Sequence, residues 1–417
     1  MKTGDLGLVL SPGLTQFQAK YIGVNYREVI VFFRKYRWLI ALLISIICLV
    51  VFAQVCLAQD DPITEVQKYE RSIHIMAMLL VGFGFLMVFL RRYGRSALTA
   101  TFLLVSVAIP FYMVINSGGI FGAAVNGEMD KFVLGEFAAA SLLICAGACL
   151  GRLKMWQYIV LAALFIPFYM LNEWMVIENG LGWIGSFVDT GGSIVIHAFG
   201  ALFGMGVVVA ITHEQEKTVP IESDYTSDKF SMLGSMVLWI FWPSFCAALV
   251  APENVPFTAV NVVIALCGST LATYLTTVVL RRKILISDIA NASLAGGVAI
   301  GATCATANHP TSFLIGILAG ALSTFGFAWI QPRIEKAFRM IDTCGVTNLH
   351  GWPGLMGGLI ALVVVQGINV GSQLAGIGIT IVVALVPGYI VGRIILTLGS
   401  LRKHYDDSAE IIDVNEG

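Results

Sequence analysis

The chain reads as an all-α polytopic membrane protein with about twelve transmembrane helices, arranged as an inverted five-plus-five helix repeat plus one extra N-terminal helix. Three observations predict this. Hydrophobic residues make up 57% of the 417 residues and charged residues 12%, about half the charged share of a soluble domain. The apolar residues fall into long runs, each sufficient to cross a hydrocarbon layer of about 30 Å at 1.5 Å per residue. One motif also occurs twice: Asp189-Thr190-Gly191-Gly192 leads to His197, and Asp342-Thr343-Cys344-Gly345 leads to His350. Each histidine follows its aspartate at the same spacing, and each motif opens a long apolar run.

Residues 1–36 are mixed in character and read as a cytoplasmic arm. Apolar runs follow near 38–58, 73–90, 96–115, 133–150, 156–177, 191–212, 230–250, 257–280, 289–307, 311–332, 349–367 and 373–399. The first is an accessory helix, runs 73–212 and 230–367 are the two repeats, and 373–399 is a last helix, so that 37–399 forms one transmembrane domain. Cys56-Leu57-Ala58 before Gln59 offers a rival reading of the first run as a cleaved signal peptide. The run is longer than an ordinary h-region and follows a long arm, which favours a retained helix. Residues 400–417 are charged and polar without apolar periodicity and read as a flexible cytoplasmic tail.

Basic residues orient the chain. With the amino terminus inside, the inner segments hold 22 of the Lys and Arg residues, and the outer ones hold only Lys68, Arg71 and Lys131. Both termini are then cytoplasmic in a multi-pass protein of the cell membrane. The run opened by Asp189 starts outside and the run opened by Asp342 starts inside. Eight residues of helix is roughly 12 Å, so His197 and His350 approach the middle of the layer from opposite faces. Inverted repeats with a site near the midplane are a recurrent transporter architecture.

Ionisable groups at that depth are costly and line pathways. Two facing imidazoles can share a hydrogen, one nitrogen donating and the other accepting, which suits a small hydrogen-bonding solute. Asp189 and Asp342 sit at helix starts, where a carboxylate satisfies free N–H groups. Asp189 is also on the outer side, where a cation would arrive. Glu136 and Glu173 are acids at or near membrane depth. His74 divides evenly between a pathway group and a bonded core histidine. Trp239 and Trp242 read as packing, and His213, His309 and His404 as solvated.

The eight cysteines form no CxxC pair and fall mostly in apolar runs, where they behave as small hydrophobes. Pairs such as Gly147/Gly151, Gly316/Gly320 and Gly354/Gly358 suit close helix packing. A net charge of -1 without a basic stripe excludes a nucleic-acid partner. There is no Walker A loop, arginine ladder, HExxH or GxSxG, so an enzyme or a nucleotide-driven pump is not expected, nor a metal or other cofactor.

Five blocks together carry a resemblance. They are His74-Ile75-Met76 through Val81-Gly82-Phe83-Gly84-Phe85-Leu86-Met87 to Arg92-Tyr93-Gly94; Asp189 to Gly200; Trp242-Pro243-Ser244-Phe245; Asn291-Ala292-Ser293-Leu294-Ala295-Gly296-Gly297-Val298; and Asp342 to Gly351. In this order, over about 38–399, they resemble the Rhesus (Rh) glycoprotein branch of the ammonium transporter family (Amt/Mep/Rh). The resemblance implies a homotrimer whose subunits each hold a hydrophobic pore with a twin-histidine pair, His197 and His350. It makes Asp189 the conduction aspartate, Phe137 and Phe245 the rings closing the outer vestibule, and Glu173 an acid of that vestibule. Bacterial members carry a serine four residues beyond the second ring, where this chain has Leu249, so cation recruitment is expected to be weak.

The expected function is conduction of ammonia: ammonium is desolvated and deprotonated at the outer vestibule and NH3 passes the apolar lumen down its gradient. Passage of CO2 is a further possibility that the resemblance raises. The rival from another class is a bis-histidine haem protein for electron transfer, with His197 and His350 as axial ligands.

Overall fold

The structure, a computed structural model, describes residues 62–125, 127–213, 219–401 and 403–412. The arm at 1–36 and the run at 38–58, with its signal-peptide alternative, lie outside the described residues. Among the described residues all regular structure is helical.

In chain order the helices are α1 (Pro62–Phe89), α2 (Gly94–Ser117), α3 (Glu128–Ala148), α4 (Met155–Val176), α5 (Ser193–Ile211), α6 (Tyr225–Cys246) and α7 (Val255–Arg281). The short pieces α8 (Ile286–Ala292) and α9 (Ala295–Ile300) follow, then α10 (His309–Phe338). A wide turn at Thr347–Gly351 runs into Trp352–Val364, together α11, and α12 is Val370–Thr397. Eight of these helices (α1 to α5, α7, α10 and α12) are long and apolar enough to cross a membrane by length and composition. The chain is thus a membrane-spanning helical protein.

Three features differ from the sequence reading. α1 begins at Pro62 rather than near residue 73. Glu65, Lys68, Glu70 and Arg71 interrupt the apolar run, but Lys68 finds Glu65 and Asp130 at 3.0 and 2.8 Å, so the helix continues through its charged turns.

The run at 289–307 is not one helix but α8, α9 and a tight turn at Gly301–Thr303. The start of α5 satisfies the backbone groups this break releases. Gly191 N–H donates to Gly301 O at 2.8 Å, and the Ser193 hydroxyl donates to Val298 O at 2.6 Å while accepting the Ala302 N–H at 2.7 Å. Irregular backbone at membrane depth survives only where protein supplies such partners.

The tail is not simply a flexible end, because residues 403–412 dock. Asp407 accepts N–H bonds from Ser96 at 2.8 Å and Arg95 at 3.2 Å, and the Arg95 Nε lies 3.1 Å away. Glu410 accepts the Met155 N–H at 2.7 Å. The three backbone donors lie in first helical turns, of α2 and α4, whose N–H groups have no partner within their own helix. A tail without apolar periodicity is therefore held by these polar bonds together with one buried ring, Tyr405, which packs into the core beside Gly151.

Close helix packing follows the small residues. A Cβ at Gly316 or Gly320 of α10 would lie 2.0 or 2.3 Å from the Ala265 or Ser269 carbonyl of α7, so only glycine permits that approach.

Candidate functional site

The repeated motif folds the same way twice. Asp189 accepts N–H bonds from Ile194 (3.0 and 3.1 Å) and Val195 (2.8 Å). Asp342 accepts them from Val346 and Thr347, both at 3.0 Å, and from the Thr347 hydroxyl at 2.9 Å. The glycine that ends each motif, Gly192 or Gly345, turns the chain at φ +75° or +66°, a region costly for residues with a Cβ. Each helix then opens with a π-turn, Ser193–Ala198 or Thr347–Gly351, and each π-turn contains the histidine. Such wide turns displace a side chain from its ordinary helical position and cluster at functional sites.

The two displaced rings meet. His197 and His350, 2% and 3% exposed, approach with Nδ1 to Nδ1 at 3.2 Å and ring planes 13° apart. Two nitrogens at this distance share one hydrogen, so one ring donates and the other accepts. The remaining nitrogens are then complementary: the Nε2 of the donating ring carries a lone pair, and that of the accepting ring carries an N–H. The Nε2 of His197 is buried and makes no protein hydrogen bond, leaving it available to a guest. An iron held between two imidazoles would separate their nitrogens by about 4 Å, at roughly 2.0 Å per metal–nitrogen bond. The two Nδ1 atoms, at 3.2 Å, are too close to be the axial ligands of one haem.

Aromatic rings continue the pair in both directions. Phe245 of α6 lies 5.9 Å from His197 and 4.7 Å from Phe137 of α3. Phe83 of α1 stacks beyond His350 at 6.1 Å. Against both rings lies a small cavity of about 30 Å³ lined by Phe83, Leu86, Leu143, Ile144, Leu349 and His350 among others, enough to hold a water-sized guest. A second cavity, about 380 Å³, lies near the start of α1 and includes Lys68, Arg71, Asp130 and Leu249 in its wall.

Of the residues singled out from sequence, the structure brings together His197, His350, Phe137 and Phe245. Asp189 and Asp342 anchor the two π-turns. Glu173 bonds to the Tyr112 hydroxyl at 2.6 Å on α2. Trp242, read as packing, stacks on His197 at 5.5 Å and 24° and belongs to the site. Its position one helical turn before Phe245 could have placed it on the same face. Phe83 was missed as a ring; its glycine neighbours, Gly82 and Gly84, were the available signal. His309, read as solvated, is exposed but bonds through Nδ1 to Asn261 at 2.8 Å. Glu136 is fully buried with no protein hydrogen bond to either carboxylate oxygen.

The sequence profile of the ammonium transporter family matches residues 39–416. Ammonium transporter Rh type A of Bos taurus is 38% identical over 346 residues, 79% of each chain. Ammonium transporter Rh type B of Oryctolagus cuniculus is 37% identical over 301 residues, covering 70% of this chain and 65% of that protein. The chain thus spans about two thirds of the type B relative's length. Among solved structures, Rh50 of Nitrosomonas europaea superposes with a TM-score of 0.83 at 51% identity, over 85% of this chain and 94% of that one. A sensor Amt protein shares the fold at a TM-score of 0.70 and 19% identity, over 81% of this chain and 93% of that one. With the profile spanning the helices that carry both histidines, and with relatives of the Rh type matching over most of the chain, the protein belongs to the Rh branch of the ammonium transporter family.

Proposed function

We propose that this chain conducts ammonia down its gradient through a pore within each subunit. The observation that carries the reading is the His197–His350 contact, a polar but uncharged bridge buried among apolar and aromatic side chains. A bare cation at that depth would cost several kcal/mol. Neutral NH3, which both donates and accepts, meets an imidazole lone pair on one ring and an imidazole N–H on the other. Ammonium reaches the outer vestibule, where Glu173 is one of the acids. It loses water at the Phe137–Phe245 constriction with electrostatic help from Asp189, and releases its proton to the outer solution. NH3 then passes Trp242, His197 and His350 into the small cavity against His350 and Phe83. Asp342 acts as the cap that fixes His350. Leu249 leaves cation recruitment weak, which favours gradient-driven flux over scavenging. As a member of a transporter family, the chain is not an enzyme.

The architecture we assign is twelve spans, with 38–58 as the accessory, an inverted five-plus-five repeat and both termini inside. Two observations support the repeat. Both copies of the motif make the same cap and the same π-turn. Each also closes on the third run of the opposite half: Gly191 on Gly301, and Thr343 and Cys344 on the last carbonyls of α3, Ala148 and Gly147. The expected assembly is a homotrimer surrounded by lipid.

Proteoliposomes given an inward ammonium or potassium gradient test the function. Ammonium should produce rapid internal alkalinisation as NH3 enters, while potassium, which has no proton to shed, should not permeate. Equal passage of the two ions would overturn the proposal.

A further inference from the structure

The outer part of α1 carries Lys68, Arg71 and His74 one turn apart, on one face of the helix. Each reaches an element that bears one of the two phenylalanines. Lys68 Nζ binds Asp130 at 2.8 Å, in the first turn of α3, and Phe137 lies two turns further along that helix. His74 Nδ1 lies 2.8 Å from the hydroxyl of Ser244, the residue before Phe245, and its ring stacks on Phe241 at 4.8 Å and 17°. Arg71 donates from Nε to Ala248 O at 3.3 Å, just past the end of α6.

Basic groups on the outer side of a cation's route are an unfavourable choice if packing is all they provide, since Leu or Met would fill the space without repelling the cation. Lys68 is offset by Asp130 and Glu65, and Arg71 turns an N–H toward a carbonyl near the C-terminus of α6, where positive charge is favoured. Directional bonds to two different helices are what an apolar residue could not supply. The α6 end also needs external support: Pro243 removes one backbone donor within the last turn, and the chain leaves the helix at Ala247.

We infer that Lys68, Arg71 and His74 form a strut on α1 that sets the separation of the Phe137 and Phe245 rings, and with it the size of guest admitted. The three are positioning residues, and the inference rests on the reading of those rings as the pore's outer constriction. With the strut intact, the rings stay in contact, their centroids 4.7 Å apart, so that every guest has to part them and a larger guest has to part them further. With it cut, Phe245 gains freedom, and the barrier to a methylated guest falls more than the barrier to ammonia.

The test uses the full-length protein in proteoliposomes with ammonium and methylammonium as paired substrates. His74→Phe keeps the ring on Phe241 but loses the bond to Ser244, Ser244→Ala loses the same bond from the other side, and Arg71→Met keeps the stem but loses the N–H. Each variant should raise the ratio of methylammonium to ammonium flux about three- to tenfold, and His74→Phe combined with Ser244→Ala should add little to either alone. In parallel, 4-fluorophenylalanine at position 245 should show a shifted, narrower fluorine resonance in each variant. Equal proportional loss of both fluxes, or a ratio within twofold of the parent, overturns the strut. A parent protein that carries no ammonium overturns the transport reading instead, and the fluorine resonance then decides the strut: an unchanged signal rejects it.

Discussion

Replacing Asp189 by alanine removes the acceptor for two buried N–H groups, those of Ile194 and Val195 at 2.8 to 3.1 Å. Each hydrogen bond to a charged acceptor contributes about 1.5–3 kcal/mol, so Asp189→Ala should cost about 3–6 kcal/mol. Asp189→Asn keeps one carbonyl oxygen and should cost about half as much. Asp342 accepts from three donors, the Val346 and Thr347 N–H groups and the Thr347 hydroxyl. Asp342→Ala should therefore be at least as destabilising. Reversible unfolding by SDS titration in mixed micelles measures this order. Flux after an ammonium jump, measured on folded protein in vesicles, measures the consequence: losing either cap releases a π-turn and parts the 3.2 Å imidazole contact. If Asp189 also assists the arriving cation, Asp189→Asn should lower flux more than Asp342→Asn does at equal loss of stability. An Asp189→Ala protein within about 1 kcal/mol of the parent and with parental flux would refute the reasoning.

Three other outcomes are expected. His197→Ala and His350→Ala each remove one hydrogen-bonding partner from the guest, worth about 0.5–1.5 kcal/mol, and should lower ammonia flux roughly two- to tenfold by stopped-flow pH recording. Asp407→Ala loses the Ser96 and Arg95 bonds, and the tail should become a ready substrate in limited proteolysis while the helices stay resistant. The Ser227 N–H, and after it the Ser227 hydroxyl and Thr226 N–H, hold the Asp224 carboxyl below its ordinary value of 3.8. Because the folded value is depressed, its cap on α6 is complete above pH 3.8 and fails as pH falls through the lower folded value. The Ser227 amide resonance should report that step, and Asp224→Asn should abolish it.

The resemblance of the duplicated motif predicted the pairing of His197 with His350, because an identical spacing after a capping aspartate gives identical local structure wherever it occurs. Apolar run length located the long helices for the same local reason. Length and hydropathy failed where charge or glycine intervened. At the start of α1, charged residues hid a helix completed by ion pairs from another element. At α8 and α9, an apolar run concealed a break whose backbone partners lie more than one hundred residues away, on Gly191 and Ser193. Trp242 looked like core from its type, and only its stacking on His197 shows otherwise.

The amino-acid order by itself determined that the chain spans a membrane, where most of its helices run, and that two histidines sit on matched motifs, since transfer energy and capping act over a few neighbouring residues. Only the tertiary structure decided that those histidines meet through Nδ1, that the run at 289–307 breaks against α5, that the tail caps two helices, and that α1 reaches both ring-bearing helices. Each of these depends on groups brought within about 3 Å by packing across the chain, which no local pattern encodes.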